Sequence, residues 1–262
     1  MTPIATCGTH LGPSIQAQIE KAFRAAIHGP AVVSEDAFVR LMTGEAHPFA
    51  NFAMVRDPSD LKGSTIAVEP LCACGAPAAV IYSSSVSAPV EQYLRDSGFQ
   101  AHDPMPAMAV EIERLPACTL AAGCEFVRID PQSEGDEWGG VFAAGYELPA
   151  GVGVAFSPKG LRVTAEIDAP LQYFAVRKNG RMIGTTLLFL EGGLAGIYAV
   201  ATLPAERRQG LGAYMTAQAL RVAHSLGYRV GVLQASEDGH PVYKRLGFID
   251  VGAVPLYVRV PE

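Results

Sequence analysis

Arg207-Arg208-Gln209-Gly210-Leu211-Gly212 stands between two patterned segments. Before it, residues 197–202 form an apolar, β-branched run that reads as a strand. After it, Leu211, Met215, Ala219, Val222, Ala223 and Leu226 recur at helical spacing. A glycine-containing turn that opens a helix leaves backbone N–H groups unpaired at the positive end of the helix dipole, which is a seat for phosphate. The glycines let the backbone approach a bulky anion, and the arginines add charge and forked donors. The chemistry these residues predict is the binding of a phosphorylated ligand.

What the turn lacks narrows the ligand. A phosphate loop of the Gly-Lys-Ser/Thr kind has no counterpart anywhere in the chain. A dinucleotide fingerprint would place a third glycine or alanine at Met215 and an acidic residue about twenty positions on, where Gln234 and Ala235 stand instead. Only about fifty residues follow the turn, too few to complete a doubly wound sheet.

The remaining pattern is Arg207-x-x-Gly210-x-Gly212, set after Val200-x-x-x-Pro204 and before an amphipathic helix. It resembles the acyl-CoA-binding motif of the GNAT N-acetyltransferase superfamily. By that resemblance Val200, Ala201 and Thr202 would pair with the pantetheine arm. Arg207, Arg208, Gln209, Gly210, Leu211, Gly212 and Ala213 would form the turn that holds the CoA pyrophosphate. Downstream, a strand over residues 229–235 leads to Tyr243-Lys244-Arg245-Leu246-Gly247-Phe248, which is similar to the family's second signature. Gly247 is suited to a left-handed helix cap there, with Phe248 starting the next strand.

The resemblance implies direct transfer of an acetyl group from acetyl-CoA to a primary amine, without an acyl-enzyme. Such transfer needs a neutral amine, a stabilised carbonyl oxygen and a proton for the departing thiolate. Tyr243 matches the tyrosine that supplies this proton. The chain departs from the pattern at the base. Residues 194–202 and 229–235 hold no carboxylate, while Glu191, Glu237, Asp238 and His240 lie in turns or loops. His240, three residues before Tyr243, could share one side of a short helix with it; a water relay or an already neutral amine would need no base. The same motif without chemistry would make a non-catalytic acyl-CoA-binding or regulatory protein, which is the alternative function.

The elements that must position these residues follow from pattern. With 49% hydrophobic and 18% charged residues the chain has the composition of a globular protein, large enough for one sizeable or two modest domains. A net charge of −6 argues against a general nucleic-acid or acidic-membrane partner. No apolar run approaches the roughly eighteen residues of a membrane span, no leader pattern opens the chain, and five cysteines do not suggest a disulfide scaffold. A cytoplasmic location is expected. Cys72-Ala73-Cys74 lacks the spacing of a zinc site and reads as buried thiols, so no metal is expected.

Helices are predicted over residues 12–28, 34–42, 86–97 and 136–146, with a turn or short helix at 58–62. Strands are predicted at 47–55, 78–82, 105–112, 124–129, 173–176, 182–190 and 194–202, with hairpin turns at 178–180 and 191–193. Residues 83–99 echo 236–248: serine loop, proline, short helix, Gly-Phe. The expected fold is α/β (α+β), the GNAT fold, a mixed, mostly antiparallel sheet flanked by helices and duplicated. A degenerate copy would occupy 1–113 and the acetyl-CoA-binding domain 114–262. The expected partner is a small-molecule or peptide amine acceptor, with the N-terminal half roofing its cleft and favouring a cationic amine. Neither nucleic acid nor membrane is expected, and a homodimer is admissible.

Overall fold

Alternation of apolar side chains decides the first elements of the computed structural model, which describes residues 31–161 and 169–261. β1 (Val32–Ser34) and β2 (Phe38–Met42) form an antiparallel hairpin where the sequence predicted a helix over 34–42. Val39 and Leu41 pack on one face of the sheet and Phe38 on the other, a period of two that no helix can satisfy. Ser34-Glu35-Asp36, whose composition suggested a helix cap, lies at the turn, with Glu35 N donating to Phe38 O at 2.8 Å. The helix predicted over 12–28 lies outside the described residues.

β3 (Asn51–Val55) leads to α1 (Leu61–Ala73), a helix the sequence suggested only as far as residue 62. Gly63, Ser64, Thr65 and Pro70 lower its intrinsic propensity, and packing overrides them. Ala67, Val68 and Leu71 are buried, and the Asp60 carboxylate caps the N-terminus by accepting from Gly63 N at 2.9 Å. β4 (Ala78–Tyr82), α2 (Ala88–Asp96) and β5 (Gln100–Glu111) follow, with Gly98 in the left-handed region at φ +82° after α2.

β6 (Cys124–Arg128), α3 (Gly135–Tyr146) and α4 (Ala150–Phe156) open the second half. Pro149, expected to end the helical region, instead caps α4, since a missing N–H costs nothing at a helix start. Then come β7 (Leu171–Lys178), β8 (Arg181–Glu191), β9 (Leu194–Thr202), α5 (Leu211–Ser225), β10 (Val230–Gln234), α6 (His240–Arg245) and β11 (Ile249–Arg259). The β7–β8 turn uses Asn179 and Gly180, both at positive φ, as a tight hairpin requires.

Among the described residues, eleven strands form one sheet in the order β1-β2-β3-β4-β11-β5-β10-β9-β8-β7-β6. Two neighbouring pairs are parallel, β3 with β4 and β9 with β10, each bridged by a helix. β11, from the C-terminal segment, lies between β4 and β5 of the N-terminal segment. A boundary near residue 113 therefore divides the chain but not the sheet. Alternation puts α1, α2, α5 and α6 on one face and α3 and α4 on the other. Among the described residues, no helix is long and apolar enough to cross a membrane.

Candidate active site

The site begins with an extra residue in β9. The β8–β9 register passes from Thr185↔Ala201 to Leu187↔Tyr198, so β9 spends one residue more than its partner. Ala199 absorbs the excess at φ +50°, an uncommon conformation for a residue with a Cβ, and its carbonyl accepts from Thr185 Oγ1 at 3.0 Å. On its other side β9 pairs with β10 only from Val230↔Leu194 to Val232↔Gly196. Beyond that point β10 stays with β5, through Gln234↔Ala107, while β9 parts from it. Ala201 and Thr202 thus have a strand partner on the β8 side alone, and Val200 lies between them and the irregularity.

The turn predicted to hold phosphate follows directly. A 3-10 turn, Pro204–Glu206, is anchored from β7 by Lys178 Nζ, which donates to Glu206 Oε2 at 2.8 Å. That bond is the largest cause holding the Glu206 carboxyl below its ordinary range. Arg208 takes φ +63° and Gly210 φ +79°, and Gly210 is the N-cap of α5 with no side chain capping the helix. The first bond along α5 from the cap runs from Tyr214 N to Gly210 O at 3.0 Å, so the amides of Leu211, Gly212 and Ala213 precede the helical ladder. A Cβ on Gly212 would lie 3.7 Å from Val200 Cγ1, which sets the turn against the parted strand.

Both arginines are exposed, and Arg207 also contacts the end of α3. Arg207 Nη2 donates to Gly145 O at 2.8 Å and approaches Glu147 Oε1 at 3.4 Å, while Nε reaches Thr202 O at 3.4 Å. Gln209 Nε2 donates to Glu206 Oε2 at 3.2 Å.

Tyr243, on α6, is 9% exposed and packs against Phe248, with ring centroids 5.7 Å apart. Burial is the main cause pushing its phenol above the ordinary tyrosine range; the nearby Tyr146 phenol adds to this and Thr216 draws it back. Thr216 Oγ1 is buried and forms no bond of hydrogen-bonding geometry, so it faces the phenol without fixing it. Tyr146, at the end of α3, brings a second phenol to the site from the opposite face; it is 43% exposed, and its dense surroundings push it up as well. Neither Tyr146 nor Thr216 was singled out by sequence. Tyr146 was legible only as a helix residue of the aromatic series Trp138, Phe142, Tyr146, of which it is the exposed member.

The carboxylate and imidazole candidates lie elsewhere. His240 Nε2 is 2.8 Å from Asp250 Oδ1, and Lys244 Nζ donates to Asp250 Oδ2 at 3.1 Å, so α6 is tied to β11 at the surface. For Asp250 burial is the largest influence and raises the pKa, but the bonds and charges of His240 and Lys244 together hold it below normal. Glu191 faces Leu194 across the β8–β9 hairpin, at the far end of β9 from Val200. Cys74 is exposed and Cys72 half-buried, which departs from the expectation of buried thiols. Among the described residues, no group of three or more His, Cys, Asp or Glu is gathered as a metal would need.

Comparison with known proteins places this geometry. Residues 144–248 match the Acetyltransferase (GNAT) family. No curated protein sequence matches the chain. Among solved structures, a GCN5-related N-acetyltransferase from Kribbella flavida is 21% identical, with 94% of this chain and 95% of that chain covered and a TM-score of 0.63. A GCN5-related N-acetyltransferase from Sphaerobacter thermophilus is 13% identical, covering 85% and 76%, with a TM-score of 0.57. A tandem GNAT protein from the clavulanic acid biosynthesis pathway is 15% identical over 93% and 88%, with a TM-score of 0.52. At these identities the likeness is one of fold.

Proposed function

We propose, from the premise that residues 144–248 are an Acetyltransferase (GNAT) family domain whose chemistry is acyl transfer from acyl-CoA, that this chain moves an acetyl group from acetyl-CoA to a primary amine. The observation that carries the proposal is the parting of β9 from β10 beside an uncapped helix start. The side of this segment away from β8 has no strand partner and can offer backbone groups at Val200 and Thr202 to an amide-bearing arm, with the Thr202 carbonyl also 3.4 Å from Arg207 Nε. The amides of Gly210, Leu211, Gly212 and Ala213, with the Arg208 guanidinium, suit a pyrophosphate.

In the transfer step the amine nitrogen attacks the thioester carbonyl carbon, and the C–N bond forms as the carbonyl π pair moves onto oxygen. Collapse of that intermediate expels the thiolate, and the Tyr243 phenol gives it a proton. Burial keeps the phenol protonated through the neutral range, so a proton is in place when the thiolate departs. The nitrogen loses one proton, to solvent or to a second amine molecule, and solvent returns one to the Tyr243 phenolate.

The N-terminal half we read as a degenerate copy of the same unit. The order β3-α1-β4-α2-β5 repeats as β9-α5-β10-α6-β11, each with a parallel first pair and a Gly-Phe step, Gly98-Phe99 and Gly247-Phe248, before its last strand. Its helix start is occupied by Asp60, and β3 stays paired with β4 to Val55↔Tyr82.

The test is release of CoA from acetyl-CoA in the presence of a panel of primary amines, with Tyr243→Phe beside wild type. Amine-dependent release that slows in the variant supports the enzyme. Acetyl-CoA binding with no amine-dependent release would favour the non-catalytic binder.

A further inference from the structure

We propose that Arg207 is a positioning residue that fastens the end of α3, which carries Tyr146, to the cofactor turn and the parted end of β9. The inference rests on the acetyl-transfer reading of the same site. The family resemblance would give Arg207 to the pyrophosphate, but its Nε and Nη2 already face protein oxygens: Gly145 O at 2.8 Å, Thr202 O at 3.4 Å and Glu147 Oε1 at 3.4 Å. Those three acceptors belong to the two elements that must stay in register, the last turn of α3 and the parted end of β9.

Two further features mark this junction as held under constraint. Gly145 lies so close to β9 that an added Cβ would sit 2.8 Å from Ala201 Cβ and 3.2 Å from Thr202 N. Glu147, which follows Tyr146, takes φ +57° although it has a Cβ, a conformation that needs outside support. Arg207 Nη2 meets both the Gly145 carbonyl and the Glu147 carboxylate, on either side of Tyr146, while Nε reaches back to β9 at Thr202 O. Tyr146 is thereby held at the helix end that packs against β9. A displaced α3 terminus would move the wall of the transfer site while leaving the phosphate seat intact.

The experiment compares Arg207→Ala, Arg207→Lys and Arg208→Ala with wild type by acetyl-CoA calorimetry, by hydrogen exchange and by turnover of the panel amine that wild type acetylates fastest. Arg208→Ala should weaken acetyl-CoA about tenfold, the loss of one charge-assisted contact. Arg207→Ala should leave acetyl-CoA affinity within about twofold, lower kcat by tenfold or more and raise exchange at the Gly145, Tyr146 and Glu147 amides. Arg207→Lys, which keeps one donor for Gly145 O, should recover part of both losses. An Arg207→Ala variant that loses acetyl-CoA affinity as Arg208→Ala does, or that keeps full kcat, overturns the proposal. Failure of wild type to bind acetyl-CoA would sink the transfer reading itself, whereas the exchange comparison would still report on the fastening.

Discussion

Substituting Gly210 by glutamate tests the phosphate seat most sharply, because fold and binding should respond in different proportions. Gly210 sits at φ +79° with nothing within 4 Å of an added Cβ, so there is strain but no clash. The left-handed conformation costs a residue with a Cβ about 1–2 kcal/mol. A carboxylate at the start of α5 returns about 0.3–1 kcal/mol by meeting the helix dipole. The net loss is under about 2 kcal/mol, which at about 2–4 °C per kcal/mol lowers Tm by less than about 8 °C.

Binding should suffer far more. The same carboxylate would face a pyrophosphate at about 4 Å, where each pair of like charges costs about 1 kcal/mol even at the dielectric of water. Two phosphate charges give about 2 kcal/mol, so the acetyl-CoA Kd should rise by about thirtyfold or more. Gly210→Ala carries the same backbone strain without the charge and should bind at least about tenfold more tightly than the glutamate variant. Raising salt to about 1 M shrinks the screening length to about 3 Å and should narrow that gap. Calorimetry on the three proteins, with melting curves alongside, makes the comparison. If wild type binds acetyl-CoA and the glutamate variant binds equally well, the turn is not the seat.

Tyr243→Phe should keep acetyl-CoA affinity while kcat falls by about a hundredfold or more, as loss of a general acid does; a rate within threefold of wild type would remove Tyr243 from the chemistry. Each chain should take up one acetyl-CoA, and Asp60→Ala should cost about 1 kcal/mol of stability through the lost cap without creating a second site; a stoichiometry of two in either protein would contradict the closed reading of the N-terminal half. Burial raises the pKa of Tyr82, Tyr173, Tyr198 and Tyr243 above that of an unfolded tyrosine. Their contribution is therefore intact below about pH 10 and lost as pH rises beyond it, at about 1.4 kcal/mol per pH unit for each. Urea melts between pH 8 and 11 should be flat at first and then fall; stability that climbs above pH 10 would reverse the sign.

Much of the C-terminal half was legible because its elements obey local rules. The Asn179-Gly180 hairpin, the glycines of the turn before α5 and the amphipathic spacing of α5 each need no distant partner to be read. The opposite holds for α1, whose Gly63 and Pro70 argue against a helix until Ala67, Val68 and Leu71 find the sheet. The β1–β2 hairpin hid behind Ser34-Glu35-Asp36, a composition that suits a helix start and a turn alike. At the candidate site, the sequence named Tyr243 and the turn but could not show the parting of β9 from β10, nor the irregularity at Ala199 that follows it. Nor could it separate Arg207 from Arg208, because which neighbour contacts α3 depends on where the end of α3 lies.

The two halves show how little separates a closed unit from an open one. Both run strand, helix, parallel strand, short helix and Gly-Phe into a final strand. In the first, β3 and β4 pair to their ends and Asp60 fills the helix start with its own carboxylate. In the second, β9 parts from β10 ahead of the irregularity at Ala199, and a glycine cap leaves the helix start without a side chain. The open unit still depends on the closed one. When β10 loses β9 it keeps β5, from the N-terminal half, as its partner through Gln234↔Ala107, and β5 is held in turn by β11. A strand parted from one neighbour needs a second to stay in the sheet, and here the N-terminal half supplies it.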